Sequence, residues 1–597
     1  MINLASLSEP SEKTREFFSR KRTYAFTAAL IGAVIFLLIY GIETLWPTNV
    51  SFLYNSEDAD VFNHQLGFDF YRISPWRNPI GVQSIYPYPY ESSVIFSDSI
   101  PLLAFFFKLL SPILPEYFQY FGLWIFLCFI LQGVSASLLL KKLGIGYIKT
   151  MLFVPFFIIN VPFLFRCFHH SSLAGQWVVL FAFLLILCES EMSPKKRTAL
   201  WMLLCGGSIL IHGYLFFMCG FLMSFSCFYQ FVKNKKRISS LIVFFGCVAV
   251  SLSAYWLGGG FLPHDNVIMR GFPGLVFDPV DLINPLIFSS FLPRIEYLYS
   301  TESAVYWGIA FMLLLITAIV ILIRNRGRIK PFIKEQRFFF TLTLLASLFL
   351  FVISEGLRPR IAGIRLFDLV GSDPNRELLA FLSTFRATAR FFLPVWYLIQ
   401  IGVFYIVGKG IRSTRIAVYL LMPLLILQYL ELVPLTAKGR AEGIESGYST
   451  VFNDCFDRVF NEDARHLSFI SDTFEDISAA GVFASHHNMS MNTSKACRGP
   501  KNSVQADLDA WNNGTLSEDT VYLLIDDYLP YLSPKLLPES WLVYYCDGHI
   551  CFFHKDLLRN APGDPAVELS RETLYEMNEQ YYNSELAATP IGTFDSY

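Results

Sequence analysis

Residues 23–46 read TYAFTAALIGAVIFLLIYGIETLW, a run with one charge, Glu43, that follows directly on Arg20, Lys21 and Arg22. A bilayer is crossed by roughly 17–25 consecutive apolar residues in a helix. A basic start before an apolar run also opens a signal peptide, but this run is too long and no small-residue cleavage site follows it. The stretch therefore predicts an uncleaved first membrane span.

The same reading extends along the chain. Its 597 residues are 54% hydrophobic and 17% aromatic but only 16% charged, against roughly 25% charged residues in soluble domains. A net charge of −2 and the lack of a basic tract with interleaved aromatics exclude nucleic acid as the expected partner. The lipid bilayer is the expected one.

Lys and Arg in short loops are retained on the cytoplasmic side, so the basic loops set the orientation. They are SRKR before the first span, Lys141-Lys142, PKKR (194–197), KNKKR (233–237), RNRGRIK (324–330) and KGIRSTR (409–415). Mixed or acidic segments at 47–117, 166–172, 261–303 and 356–385 alternate with them. The pattern predicts about 11 transmembrane helices, a cytoplasmic segment 1–22, a membrane domain 23–432 with a first outer loop 47–117, and an exported segment 433–597. Residues 198–232 must cross twice, with a break at His212-Gly213. Residues 99–116 are interrupted by Lys108, Pro112 and Pro115 and predict a helix lying in the membrane interface.

Beyond residue 433, VYLLIDDYL and WLVYYCDGHICFFHK read as strands of a small α/β domain, with Asp547-Gly548 as a two-residue hairpin turn. That turn pairs Cys546 with His549 and Tyr544 with Cys551. Four of the 11 cysteines, Cys455, Cys497, Cys546 and Cys551, lie in this exported segment, where disulfides persist. At least one bond is expected, and the spacing leaves its connectivity open.

Under this topology the titratable groups near the membrane gather on the outer side. They are the cluster EDADVFNHQLGFDFYR (57–72), Asp98, Arg166, His169-His170, His212, His264-Asp265, Arg294, Glu302, Arg386 and Arg390. Arginines clamp phosphate with two parallel hydrogen bonds. A carboxylate can remove a proton from an attacking hydroxyl, or hold a divalent cation such as Mg or Mn against a leaving phosphate. Each residue also has a structural reading: Asp98 as a helix cap, His212 as a packing residue, His169-His170 as a helix end.

Four stretches carry a family resemblance: DVFNHQLGFDFYRISPW (60–76), SDSIPLLAFFFKLLSPILPEYFQYFGLW (97–124), HHSSLAGQWVVL (169–180) and FRATARFFLPVWY (385–397). They resemble the GT-C superfamily of membrane glycosyltransferases, and more closely a bacterial GT-C-like membrane family of unassigned function. The resemblance implies an α-helical polytopic fold with an exported α/β domain, and a polyprenyl-phosphate-linked sugar donor. It places the working carboxylate on Asp60, with Asp58 in reserve. The chain departs from the family pattern at Ala389, where a glycine is expected before the arginine, and at Gln176, where a histidine is expected.

The expected assignment is thus a transferase of the bacterial inner membrane acting on an exported glycan or lipid acceptor, with a transporter or flippase of lipid-linked glycans as the alternative. Asp60, Asp58, His64 and Asp98 are the catalytic candidates, and Asp60 is the one expected to hold a metal if there is one. Arg72, Arg166, His212, Arg386 and Arg390 are assigned to the donor phosphate. His169, His170, Glu302 and Trp76 are assigned to the acceptor. In a helix over 60–71, Asp60, His64 and Gly67 share a face and Asp69 points away, as a neutral control.

Overall fold

A computed structural model describes residues 20–54, 59–232, 236–263, 275–295, 302–324, 337–369, 385–437, 450–470, 474–494, 504–525, 529, 537–559 and 565–582. The chain divides into two compact units. One contains residues 1–46, 120–252 and 268–443; the other contains 47–119, 253–267 and 444–597.

The first unit is helical. Its helices are α1 (Lys21–Tyr40), α4 (Phe121–Lys142), α5 (Tyr147–Ile158), α6 (Val161–His169), α7 (Trp177–Cys188), α8 (Pro194–Ile211), α9 (Gly213–Val232), most of α10 (Arg237–Leu257), α11 (Ile309–Arg324), α12 (Arg337–Ser354), α13 (Leu393–Gly410) and α14 (Thr414–Glu431). Among the described residues, 7 helices are long and apolar enough to cross a membrane, or up to 8 if a bent pair counts as one span. Helices α8, α11 and α12 fall outside that count. They do occupy the places where the alternating basic loops require further crossings.

Small residues let helices in lipid approach closely. A methyl group on Gly32 of α1 would lie 2.4 Å from the carbonyl oxygen of Phe129 in α4, so glycine is what permits this contact. The bent pair is α5 and α6, which meet at 51°. The cause is local: the Asn160 side chain accepts from the amide of Phe163 and Pro162 opens the next helix, so the first helix stops and a new one is capped. His212 breaks α8 from α9 as expected, but both flanking helices are long, of 18 and 20 residues.

The second unit joins the first loop to the C-terminal segment. Its sheet has strand order β10-β8-β9-β7-β5-β6, built from β5 (His466–Ile470), β6 (Ser490–Met491), β7 (Thr520–Ile525), β8 (Trp541–Cys546), β9 (His549–His554) and β10 (Val567–Glu568). Strands β5, β6 and β7 pair in parallel and the rest antiparallel. The Asp547-Gly548 turn has positive φ at both residues, and Cys546 pairs with His549 and Tyr544 with Cys551. Loop residues Val50, Tyr54, Phe62, Leu66, Phe70 and Tyr86 share one apolar core with Phe452, Phe469, Phe483 and Phe553. Main-chain bonds from Tyr88 to Met491 and from Met491 to Ile85 extend β6 with the loop's own backbone. The compact units therefore cut the chain differently from the sequence-based boundaries, which keep residues 47–117 with the membrane helices.

The loop carries α2 (Ala59–Ile73), the short antiparallel pair β1 (Val82–Gln83) and β2 (Ser92–Ser93), and α3 (Pro101–Leu109). Helix α3 has 9 residues, too few to span a bilayer. Leu102, Phe106, Leu109 and Ile113 form an exposed stripe along it and the following turn. Asp98 does not cap it: the N-cap is Ile100, in the left-handed region and without a side-chain bond. Cys455 and Cys546 form a disulfide with Cα atoms 5.8 Å apart. Cys551 is a buried free thiol, because its place in the middle of β9 holds it inside the core. Cys497 lies outside the described residues.

Candidate functional site

In the helical unit, α6 carries Arg166, the segment before α11 carries Glu302, and a short 3-10 turn (Thr388–Phe392) opening α13 carries Arg390. The carboxylate of Glu302 joins the two arginines. Arg166 Nη1 lies 3.2 Å from Glu302 Oε2, and a second Arg166 nitrogen donates to the Glu302 carbonyl. Arg390 donates to the same Oε2 through Nε at 2.9 Å and Nη2 at 2.7 Å. Burial opposes the charge on Glu302, but Arg390, Arg166 and, less strongly, His170 outweigh it and hold its carboxyl below the usual range. Both guanidinium groups thus donate to one carboxylate oxygen in a largely buried place.

The two arginines line a small pocket of about 30 Å³, partly open, together with Gln176, Met218, Ser303 and Val305, among others. The walls are held by hydrogen bonds from several helices. Trp396 Nε1 donates to the Val305 carbonyl at 3.0 Å, and the Ala387 amide donates to the Tyr214 hydroxyl at 2.9 Å. The Arg390 guanidinium stands 5.0 Å from the Tyr214 ring centre. Gln176 donates to the Pro162 carbonyl and accepts from the Tyr397 hydroxyl. Fully buried Glu431 accepts from Ser289, Tyr306 and the Ile309 amide, which fixes both ends of the segment bearing Glu302.

The structure thus brings Arg166, Glu302, His170 and Arg390 together. Arg386 is not on a shared helix face with Arg390, because it precedes the 3-10 turn. His212 caps α8, and its Nδ1 accepts from the Tyr214 amide at 3.1 Å, so it supports the ring beneath Arg390. His169 stacks on Phe165 at 4.1 Å. Tyr214, Ser303 and Glu431 escaped the sequence reading. Only Glu431, a charge ending an apolar run, carried a signal.

The second unit holds the other candidates. Asp60 lies in the first turn of α2, half-buried, and His64 one turn on is buried. Asp58 lies outside the described residues. A methyl on Gly67 would lie 2.3 Å from Ser97 Cβ, and Ser99 donates to the His64 carbonyl at 2.7 Å, so α2 is pressed against the segment holding Asp98. Asp69 is no solvated control. It is buried, accepts from the Tyr54 hydroxyl, and accepts from Gln65 Nε2 at 2.9 Å. Burial pushes its carboxyl up to about 7, against the lowering effects of Tyr54, Arg72 and Gln65.

Arg72 donates to the carbonyls of Glu116, Leu114 and Ser111 at 2.9, 3.2 and 3.5 Å. That is a brace for the end of α3, not a phosphate fork. Lys108, 3% exposed, points its ammonium at the rings of Tyr71 and half-exposed Trp76, 4.0 and 4.6 Å away, and burial lowers it to about 8. Among the described residues no three His, Cys, Asp or Glu side chains are placed to hold a metal ion.

A family model matches residues 29–433, and its description is "Domain of unknown function (DUF6311)". No curated protein matches. Among solved structures, the archaeal oligosaccharyltransferase AglB from Archaeoglobus fulgidus, in complex with an inhibitory peptide and a dolichol-phosphate, is similar at a TM-score of 0.38 and 10% identity. The match covers 94% of this chain and 78% of that one; a likeness that low carries no argument about mechanism. The chain belongs to the DUF6311 family.

Proposed function

We propose that this member of the DUF6311 family is a membrane glycosyltransferase that moves a sugar from a polyprenyl-phosphate-linked donor to an exported glycan or lipid acceptor. The observation that carries the reading is the pair Arg166 and Arg390 around a single carboxylate in a pocket between membrane helices. Arginine forks in a low-dielectric place suit a phosphate that arrives on a lipid. An anion arriving there would compete with Glu302 for the same donors. Phosphate oxygens taking the place of Glu302 Oε2 would keep every guanidinium bond and release the carboxylate.

Asp60 is the proposed general base for the acceptor hydroxyl, steadied by His64, with Trp76 an exposed apolar surface for the acceptor. Asp60 stands in the first turn of α2 as a half-buried residue. The proposed topology has eleven spans with the N-terminus inside. Two observations support it: helices α8, α11 and α12 lie where the basic loops require crossings, and residues 47–119 and 444–597 share one compact unit, which needs an even number of crossings between them. The disulfide suits an oxidising compartment.

The test is mass analysis of surface glycans and lipids in a strain lacking the chain, restored with the parent sequence or with Asp60→Asn. A sugar lost in the deletion, regained with the parent and absent with Asp60→Asn is the expected result. An unchanged glycan and lipid profile in the deletion would remove the transferase reading.

A further inference from the structure

Residues 358–369, RPRIAGIRLFDL, follow α12 and fold as a hairpin of β3 (Arg360–Ile361) and β4 (Ile364–Arg365). Its turn, Ala362-Gly363, has positive φ at both residues, the geometry of a two-residue hairpin that glycine or asparagine ordinarily supplies. An alanine held there needs support, and Asp278 gives it: one carboxylate oxygen accepts from the Ala362 amide at 3.0 Å and the other from the Gly363 amide at 2.8 Å. At the base, Glu355 accepts from the Arg360 amide at 2.6 Å. The Leu366 and Leu369 amides donate to the carbonyls of Pro359 and Leu357. The backbone is built and pinned.

What it displays is apolar. Ile361, Ile364, Leu366, Phe367 and Leu369 are all at least half exposed, Ile364 the most at 70%. A rigid loop with five exposed large apolar side chains within nine positions is a poor surface to leave in water. It carries three arginines: Arg358 and Arg365 both reach Asp368, at 3.1 and 3.3 Å, and Arg360 stands beside Glu355 at the base.

We propose that this hairpin is a membrane-surface anchor. Its apolar side chains lie among the upper acyl chains, and Arg360 and Arg365 take the phosphates of anionic lipid headgroups. Continuity and charge identify the occupant. Helix α12 ends at Ser354 and already turns Leu344, Leu345, Leu348 and Phe349 outward, as a lipid-facing helix does. On the proposed eleven-span topology α12, whose 18 residues rise about 27 Å, is one crossing of a hydrocarbon core of roughly 30 Å, so a hairpin starting six residues past its end sits at headgroup depth. Guanidinium groups beside apolar side chains match the two layers such a segment meets.

The test uses the full chain in lipid nanodiscs, with an environment-sensitive fluorescent amino acid in place of Phe367. Blue-shifted emission that is quenched by lipids brominated high on the acyl chain is expected. Water-like emission overturns the proposal. So does blue-shifted emission that bromolipids leave unquenched, since that marks a partner protein or a second copy covering the patch. The headgroup part is read separately, from the phosphatidylglycerol retained on purification from mixed bilayers. A several-fold drop in the Arg360→Gln, Arg365→Gln double variant is expected, and equal retention overturns it. Arg365 is exposed and Arg360 half-buried, and the variant's size-exclusion profile should match the parent's.

Discussion

Asp69→Asn isolates the energetic cost of the buried acid in α2. The Asp69 carboxyl sits at about 7 in the folded chain because burial penalises its charged form, against about 3.9 in an unfolded chain. Between these values the folded state keeps a proton that the unfolded state has released. Stability therefore falls as pH rises from about 4 to about 7 and is flat on this account outside that window. Three pKa units at about 1.4 kcal/mol each set a ceiling of about 4 kcal/mol; structural relaxation and water entry would reduce it. Asparagine keeps an acceptor for Tyr54 or Gln65 and does not titrate. The variant should lack this slope and, above pH 7, melt several degrees higher than the parent. The assay is thermal unfolding of both proteins in nanodiscs from pH 4.5 to 8 (roughly the window given by the shift), read as the difference between them. His466, His486 and His487 are lowered chiefly by burial and act with the opposite sign, but they are common to both and cancel. A difference that does not change with pH, or that shrinks as pH rises, would refute the reasoning.

Arg390→Lys keeps the charge but not the two contacts to Glu302 Oε2, so donor affinity should fall about ten- to hundred-fold, as for one lost charge-assisted bond of roughly 1.5–3 kcal/mol; unchanged affinity would make Arg390 a structural anchor. Glu302→Gln removes the competing charge, and binding of a lipid phosphate, measured by native mass spectrometry, should strengthen, with weakening as the contrary result. Asp60→Asn should slow transfer roughly 10²–10⁴-fold while donor binding survives, and full activity would eliminate Asp60 as the base. Peptide mapping without reductant should find Cys455 joined to Cys546 and Cys551 alkylated only after unfolding. Replacing the bonded pair with serine should cost about 2–4 kcal/mol, and four free thiols in the untreated protein would contradict the bond.

Local patterns decided a good part of this protein from sequence alone. Apolar runs of span length, the break at His212, the interfacial length of 99–116 and the strands flanking Asp547-Gly548 were all legible, because each depends on residues within about twenty positions of one another. So was the register that places Cys551 opposite Tyr544. Tertiary structure decided what depends on distant partners. Arg166, Glu302 and Arg390 are separated by 136 and 88 positions, and neither periodicity nor charge spacing pairs them. Arg386 left the shared face because the turn before α13 is 3-10 and begins after it. Arg72 looked like a phosphate ligand until its donors met the carbonyls at the end of α3. Asp69 and Asp60 are both acids on one helix, and only packing distinguishes them: Asp69 faces Tyr54 and Gln65 inside a core completed by residues some four hundred positions away. Hydropathy is a property of a segment, whereas the charge state of a carboxyl depends on what folds over it.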